Sequence, residues 1–163
     1  MKWLFAAATV ACAVSPVFSA PAADPLSPSA NSAYLEANSH KPGVVIVPGI
    51  QYRVIRSGKG SQPAHSDCVT VTYKGSLISG KVFDQTQPKQ PATFPAGALI
   101  AGWTEALQLM HEGDEWELVI PPGLAYGAKG AGNGVIPPNQ TLVFDIQLLK
   151  VSKSIMGQCS QPQ

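Results

Sequence analysis

The sequence predicts an α+β fold in which a bent antiparallel β-sheet of five to six strands wraps around one short α-helix. The helix is predicted at Leu99–Met110, where apolar residues such as Ile100, Trp103 and Leu107 recur at helical spacing. The sheet is predicted by alternating or β-branched segments on both sides of that stretch, separated by glycine and proline turns. We therefore expect one helix to lie across a curved sheet, with its N-terminal end at the mouth of the structure.

Composition limits the classes of function. The chain has 163 residues, of which 45% are apolar and 13% are charged, and its net charge is +1. This length supports one domain with one core. No run of lysine or arginine occurs, which argues against nucleic acid or an anionic membrane as the partner.

Residues 1–22 have the pattern of a secretory signal peptide. Lys2 precedes an apolar run, and Ala20-Pro21-Ala22 supplies a small-residue cleavage site after Ala22. A membrane anchor is disfavoured because the run is short and contains Pro16, and a lipoprotein signal at Cys12 is a weaker alternative. We expect a periplasmic or secreted protein without a membrane span.

The segments that follow the signal can be assigned in order. Residues 23–42 are expected to be a flexible leader with a short helix over 32–40, capped by Ser32. The folded domain is expected over 43–152, and residues 153–163 are expected to be a disordered tail. Strands are predicted at 51–56, 68–75, 92–94, 115–120 and 141–151, of which 68–75 is the strongest; a hairpin-like connection leads from it into 81–84, and 44–47 is apolar and β-branched. A long loop over 124–140 connects the segments 115–120 and 141–151, and loops of this length are usually functional.

Two cysteines remain after the predicted cleavage. A disulfide between Cys68 and Cys159 is permitted in an oxidising compartment. Cys68 lies within a strand-like segment, however, where a buried, unpaired thiol is the favoured interpretation. The sequence leaves the pairing open.

Reactive groups are scarce. The three histidines lie in predicted turns or at segment ends. Metal-ligand spacing occurs at the cluster His65-Ser66-Asp67-Cys68, where solvated loop residues are the favoured interpretation. The sequence shows neither a nucleophile elbow nor a phosphate-binding glycine loop. Aromatic and branched residues instead cluster near segment ends, with one carboxylate, Asp84, beside Phe83. Trp103 is interpreted either as a core residue or as the floor of an apolar cleft.

Four segments carry a family resemblance. The runs VTVTYKGSLISGKVFD, FPAGALIAGWTEALQLM, GDEWELVIPPGLAYGAKG and VIPPNQTLVFDIQLLKV resemble, in order and spacing, the FKBP-type peptidyl-prolyl cis-trans isomerases. The segment YLEANSHKPGVVIVPGIQYRVI is similar to the secreted bacterial branch related to macrophage infectivity potentiators. The resemblance covers about Gly43 to Ser152 and implies the FKBP fold.

The resemblance also implies a site and its roles. Trp103 would form the floor under the bound proline ring, while the backbone N–H of Ile100 and the Tyr126 hydroxyl would bind substrate carbonyls. The implied catalytic residues are Asp84, Tyr126 and Phe83. The implied substrate-binding residues are Tyr73, Phe94, Leu99, Ile100, Trp103, Val135, Ile136 and Phe144.

The function expected from the resemblance is isomerisation of X-Pro bonds in exported proteins, assisting their folding. No cofactor or metal is implied, and the expected partners are proline-containing polypeptides and macrolide immunosuppressant-type inhibitors. A monomer is expected, because only residues 23–42 separate the signal from the domain. The alternative is a peptide-binding chaperone module with little turnover.

Overall fold

A computed structural model describes residues 24–155 and 158–160. The predicted signal peptide, residues 1–22, lies outside the described residues. Two helices are present in the described part of the chain, α1 (Pro28–Ser39) and α2 (Ala101–Leu107). The strands are β1 (Val44–Val47), β2 (Ile50–Arg56), β3 (Asp67–Leu77), β4 (Val82–Gln85), β5 (Ala92–Pro95), β6 (Glu115–Ile120) and β7 (Leu142–Lys153).

Within these residues, seven strands form one antiparallel sheet in the order β1-β2-β6-β7-β3-β4, with β5 also paired to β3. One side of β3 pairs along its length with β7, and the other side is divided between two short strands. Its first half pairs with β5, from Cys68 opposite Pro95 onward, and its second half pairs with β4, with Gly75 opposite Asp84. The α+β class is confirmed, with one strand more than expected.

Helix α2 packs on the inner face of the sheet. Trp103, Ala106, Leu107 and Met110 are all buried, as the predicted apolar stripe requires. Gly102 permits the close approach, because a Cβ at this position would lie 2.5 Å from the Ile120 side chain of β6. The helix is shorter than the predicted run, since after Leu107 the chain turns while Met110 remains in the core.

Helix α1 packs on the opposite face. Strand pairing and side-chain alternation place Gln51, Val119 and Asp145 on one face, whereas Leu118 and Phe144 lie on the face that holds α2. Asn38 of α1 donates to the Gln51 side chain at 2.9 Å. Partial burial raises the pKa of Tyr34 in α1, with smaller contributions from the charges of Glu117 and Asp145. The sheet therefore lies between the two helices.

The N-terminal segment differs from the expected leader. The helix begins earlier than predicted, with Ser27 as its N-cap accepting from the Ala30 N–H at 3.2 Å, and with Pro28 in its first turn. Asn31 and Asn38 are buried against the sheet. The segment over 28–39 is thus a docked helix.

The C-terminal segment also differs from expectation. Cys68 and Cys159 form a disulfide, so the interpretation of Cys68 as an unpaired thiol is wrong, although the residue is only 1% exposed. Ile155 and Gln158 pair as an isolated bridge between the end of β7 and Cys159. The chain near Cys159 is therefore tied to the start of β3.

Candidate functional site

A cavity of about 200 Å³ opens between α2 and the sheet. Nine side chains from seven different parts of the fold line it: Tyr73, Phe83, Asp84, Phe94, Leu99, Ile100, Trp103, Tyr126 and Phe144. All nine are among the predicted site residues. The lining is mainly aromatic and aliphatic, which is typical of a site that binds an apolar group.

The aromatic rings at the cavity wall pack edge to face. Trp103 is 4% exposed, and its ring is nearly perpendicular to those of Tyr73 and Phe144, with centroid distances of 5.2 and 5.3 Å. Phe83 meets Phe144 in the same way at 5.6 Å. Such contacts stabilise beyond simple area burial and fix the ring orientations, so the cavity is lined by rings that hold one another in place.

Gly75 makes this packing possible. A Cβ on Gly75 would lie 2.7 Å from both the Phe83 and the Phe144 rings. Sequence reasoning placed Gly75 only at the end of a strand and assigned it no role. A glycine inside a strongly β-branched run is nevertheless a known signal of close approach by another group.

The polar groups lie at the rim of the cavity. The Tyr73 hydroxyl donates to Asp84 Oδ2 at 2.7 Å. Burial raises the pKa of Tyr73 well above its ordinary range, and the hydrogen bond and charge of Asp84 raise it further. Asp84 is thereby held on the cavity side of β4.

Tyr126 is the second rim hydroxyl. It lies on the connection between β6 and β7, residues 121–141, which we call the Tyr126 loop, and its side chain is 39% exposed. Burial raises the pKa of Tyr126, and the charge of Asp84 adds to the effect. The phenol is therefore neutral near pH 7 and can donate a hydrogen bond.

A backbone donor lies at the entrance to α2. Ile100 is the N-cap residue, and its carbonyl accepts from Trp103 and Thr104. The N–H groups at the start of a helix have no intrahelical acceptor. The Ile100 N–H therefore has no acceptor within α2 and can donate to a group outside the helix.

Two predicted residues do not reach the cavity wall. Ile136 is 6% exposed and belongs to the core, whereas Val135 is 43% exposed at the tip of the Tyr126 loop. The cause is a tight turn in which Ala131 and Ile136 pair, so that neighbouring residues point to opposite sides. The loop also contains three short 3₁₀ turns in place of the expected irregular chain.

Across residues 24–155 and 158–160, no three side chains of the metal-binding types come together. Over the same residues, no helix has both the length and the apolar character needed to cross a bilayer.

Two curated proteins named Mip are similar to most of this chain. Outer membrane protein MIP of Legionella longbeachae is 52% identical over 75% of this chain and 53% of that protein. Peptidyl-prolyl cis-trans isomerase Mip of Coxiella burnetii is 50% identical over 74% of this chain and 53% of that protein. The chain thus spans about half the length of these curated relatives.

Solved structures agree with the fold. A crystal structure of a peptidyl-prolyl cis-trans isomerase from Pseudomonas syringae pv. tomato gives a TM-score of 0.71 at 42% identity, covering 77% of this chain and 92% of that one. The crystal structure of FkpA from Escherichia coli gives a TM-score of 0.74 at 43% identity, and the match covers 78% of this chain and 60% of that one. The family model described as FKBP-type peptidyl-prolyl cis-trans isomerase matches residues 59–149. Because this match covers more than half of the chain, the chain belongs to the family of FKBP-type peptidyl-prolyl cis-trans isomerases.

Proposed function

We propose that this protein accelerates rotation about X-Pro peptide bonds in exported polypeptides. The observation that carries the proposal is the convergence of nine predicted residues on one apolar cavity with Trp103 in its wall. Amide resonance sets a rotation barrier of roughly 18–20 kcal/mol. Twisting the bond breaks this resonance and leaves the carbonyl less polar, so an apolar cavity disfavours the planar amide relative to the twisted one.

The rim residues supply the remaining contacts. The proline ring packs against Trp103, and substrate carbonyls accept hydrogen bonds from the Ile100 N–H and the Tyr126 hydroxyl. Asp84, oriented by Tyr73, lies beside the twisting bond together with Phe83. No covalent step is needed, since each factor of ten in rate requires only about 1.4 kcal/mol of preferential stabilisation.

A cis-trans exchange assay on an Ala-Pro or Leu-Pro peptide tests this proposal. We expect the purified protein to speed exchange well above the buffer rate, where uncatalysed exchange takes tens to hundreds of seconds. Binding of the peptide without faster exchange would instead support the alternative, a peptide-binding chaperone module with little turnover.

Substitutions at the rim should lower turnover without unfolding the protein. We expect Asp84→Leu and Tyr126→Ala each to reduce kcat/KM by about tenfold, because each removes a polar contact worth about 1 kcal/mol or more. Lys129→Ala is the matched control, since Lys129 is an exposed residue on the Tyr126 loop outside the cavity. Unchanged rates in both rim variants would show that the reaction occurs elsewhere.

Export and partners form part of the same proposal. We infer that residues 1–22 are removed as a signal peptide and that the isomerase domain over 43–152 acts in the periplasm or outside the cell. The Cys68–Cys159 disulfide supports this, because disulfides persist mainly in oxidising compartments. Proline-containing polypeptides are the proposed substrates, macrolide immunosuppressants the proposed inhibitors, and a monomer the proposed state.

A further inference from the structure

Helix α1 lies outside the residues that the family model matches, yet it contacts the base of the Tyr126 loop. The family match begins at residue 59, whereas α1 spans Pro28–Ser39. Its Asn31 side chain is 3% exposed and lies against Gln140 and Thr141, which are 5% and 0% exposed. A group of buried polar side chains therefore joins α1 to the point where the loop enters β7.

The hydrogen bonds of Asn31 define its amide orientation. Asn31 Oδ1 accepts from the Thr141 N–H at 2.6 Å. Asn31 Nδ2 donates to the carbonyls of Leu26 and Ser27 at 3.1 and 3.0 Å, and it lies 3.4 Å from Gln140 Oε1. Reversing the amide would place its oxygen against two carbonyls, so a single arrangement satisfies the group.

The contacts continue into the loop. Gln140 Nε2 donates to the carbonyls of Pro138 and Leu26 at 2.9 and 3.1 Å. Asn139 donates its N–H to the carbonyl of Gly127 at 2.8 Å, and Gly127 directly follows Tyr126. A continuous chain of hydrogen bonds therefore runs from α1 to the residue next to the rim hydroxyl.

We propose that Asn31 is a positioning residue for the candidate site: by holding Gln140 and Thr141, it fixes the base of the Tyr126 loop and thereby the Tyr126 hydroxyl. The inference rests on the proposed function, in which that hydroxyl binds a substrate carbonyl. The proposal also means that the candidate site needs α1 for full activity, although no α1 residue lines the cavity.

The chain offers a matched control in Asn38. Asn38 lies two turns further along the same face of α1, is 2% exposed, and bonds to Gln51 of β2, away from the loop. Asn31→Ala and Asn38→Ala both remove one buried amide from the docked helix. Only Asn31→Ala breaks the link to the Tyr126 loop.

Amide hydrogen exchange tests the contact without any need for turnover. We expect Asn31→Ala to speed exchange at residues 127–141 by about tenfold relative to Asn38→Ala. Equal exchange in this segment in the two variants would overturn the proposal. If Asn31→Ala does not fold, Gln140→Ala serves instead, because it frees the Pro138 carbonyl while retaining the Asn31–Thr141 bond.

A double-mutant cycle with Tyr126→Phe tests whether the effect on rate passes through the hydroxyl. We expect Asn31→Ala alone to lower kcat/KM by about fivefold, and to have little effect once Tyr126 is phenylalanine. A full fivefold loss in both backgrounds would show that Asn31 acts only through general stability, which overturns the positioning role. If the wild-type protein shows no turnover, the proposed function is wrong. The hydrogen-exchange comparison would then still test whether Asn31 holds the base of the Tyr126 loop.

Discussion

Trp103 shows how one residue can serve both the core and the site. The sequence allowed a core residue or a cleft floor, and in the structure the indole is 4% exposed while lining the cavity. The two interpretations are compatible because a ring presents one face or edge to the cavity and the remainder to its neighbours. Its edge-to-face contacts with Tyr73 and Phe144 hold that orientation.

The Tyr73–Asp84 pair has a testable titration behaviour. The pKa of Tyr73 is raised above its unfolded value by burial first and by Asp84 second. A raised pKa means that the folded state retains the proton more strongly. The resulting stabilisation is therefore fully present below about pH 10 and is lost as pH rises through the folded-state pKa.

We expect Asp84→Leu to lower the pKa of Tyr73, because it removes the acceptor and the charge while burial remains. Ultraviolet absorbance of the phenolates, titrated with pH, measures this change. In a Tyr73→Phe background, Asp84→Leu should lower only the pKa of Tyr126, and by a smaller amount, because the charge of Asp84 also raises that pKa. An identical tyrosine titration in the wild type and in Asp84→Leu would contradict the pairing.

At the element scale, β3 combines strong strand propensity with one position that excludes any side chain. Its β-branched residues pair with β7 along the strand, while Gly75 leaves space for the rings of Phe83 and Phe144. The cavity wall therefore depends on a missing side chain as well as on those present.

We expect Gly75→Ala to destabilise the protein by about 1–3 kcal/mol, because the added Cβ forces the two rings apart. Since Phe83 would shift, kcat/KM should fall as well. Gly123→Ala is the matched control, since a Cβ at Gly123 meets no atom within 4 Å. Chemical denaturation of the two variants measures the difference, and equal stability would contradict the proposed packing.

Helix α1 shows where local signals were insufficient. A start at Ser32 was predicted, whereas the structure uses Ser27 followed by Pro28, which is also a recognised start signal. The helix has few apolar residues, and its docking depends on amide contacts to residues distant in sequence, such as Asn31 to Thr141. Periodicity of apolar residues does not detect this kind of packing.

At the scale of the whole molecule, the disulfide joins residues 91 positions apart. Its neighbour Asp67 accepts from Lys153 Nζ at 2.9 and 3.0 Å, so the start of β3 has an ionic contact to the end of β7 and a covalent one to the segment that follows β7. The β3 residue that lines the cavity, Tyr73, lies further along the strand. The bridge is expected to stabilise the fold without shaping the site.

We expect Cys159→Ser to lower the free energy of unfolding by about 2–4 kcal/mol, because the bridge limits the unfolded chain over a long loop. Isomerase activity at 25 °C should remain close to that of the wild type. The control is the wild-type protein with its disulfide reduced, which should unfold at the same temperature as Cys159→Ser measured without reductant. No change in the thermal midpoint on reduction would contradict this role.

Strand alternation, helical periodicity and family motifs are local signals, and from them the sequence predicted the sheet, the inner helix and the nine residues that line the cavity. The cysteine pairing, the docking of α1 and the positions of Val135 and Ile136 are visible in the folded structure but not in the sequence pattern. Each of these depends on which distant segments meet, or on a turn that reverses the direction of neighbouring side chains. Such geometry depends on the packing of the complete fold, and no periodic pattern of residues in the sequence indicates it.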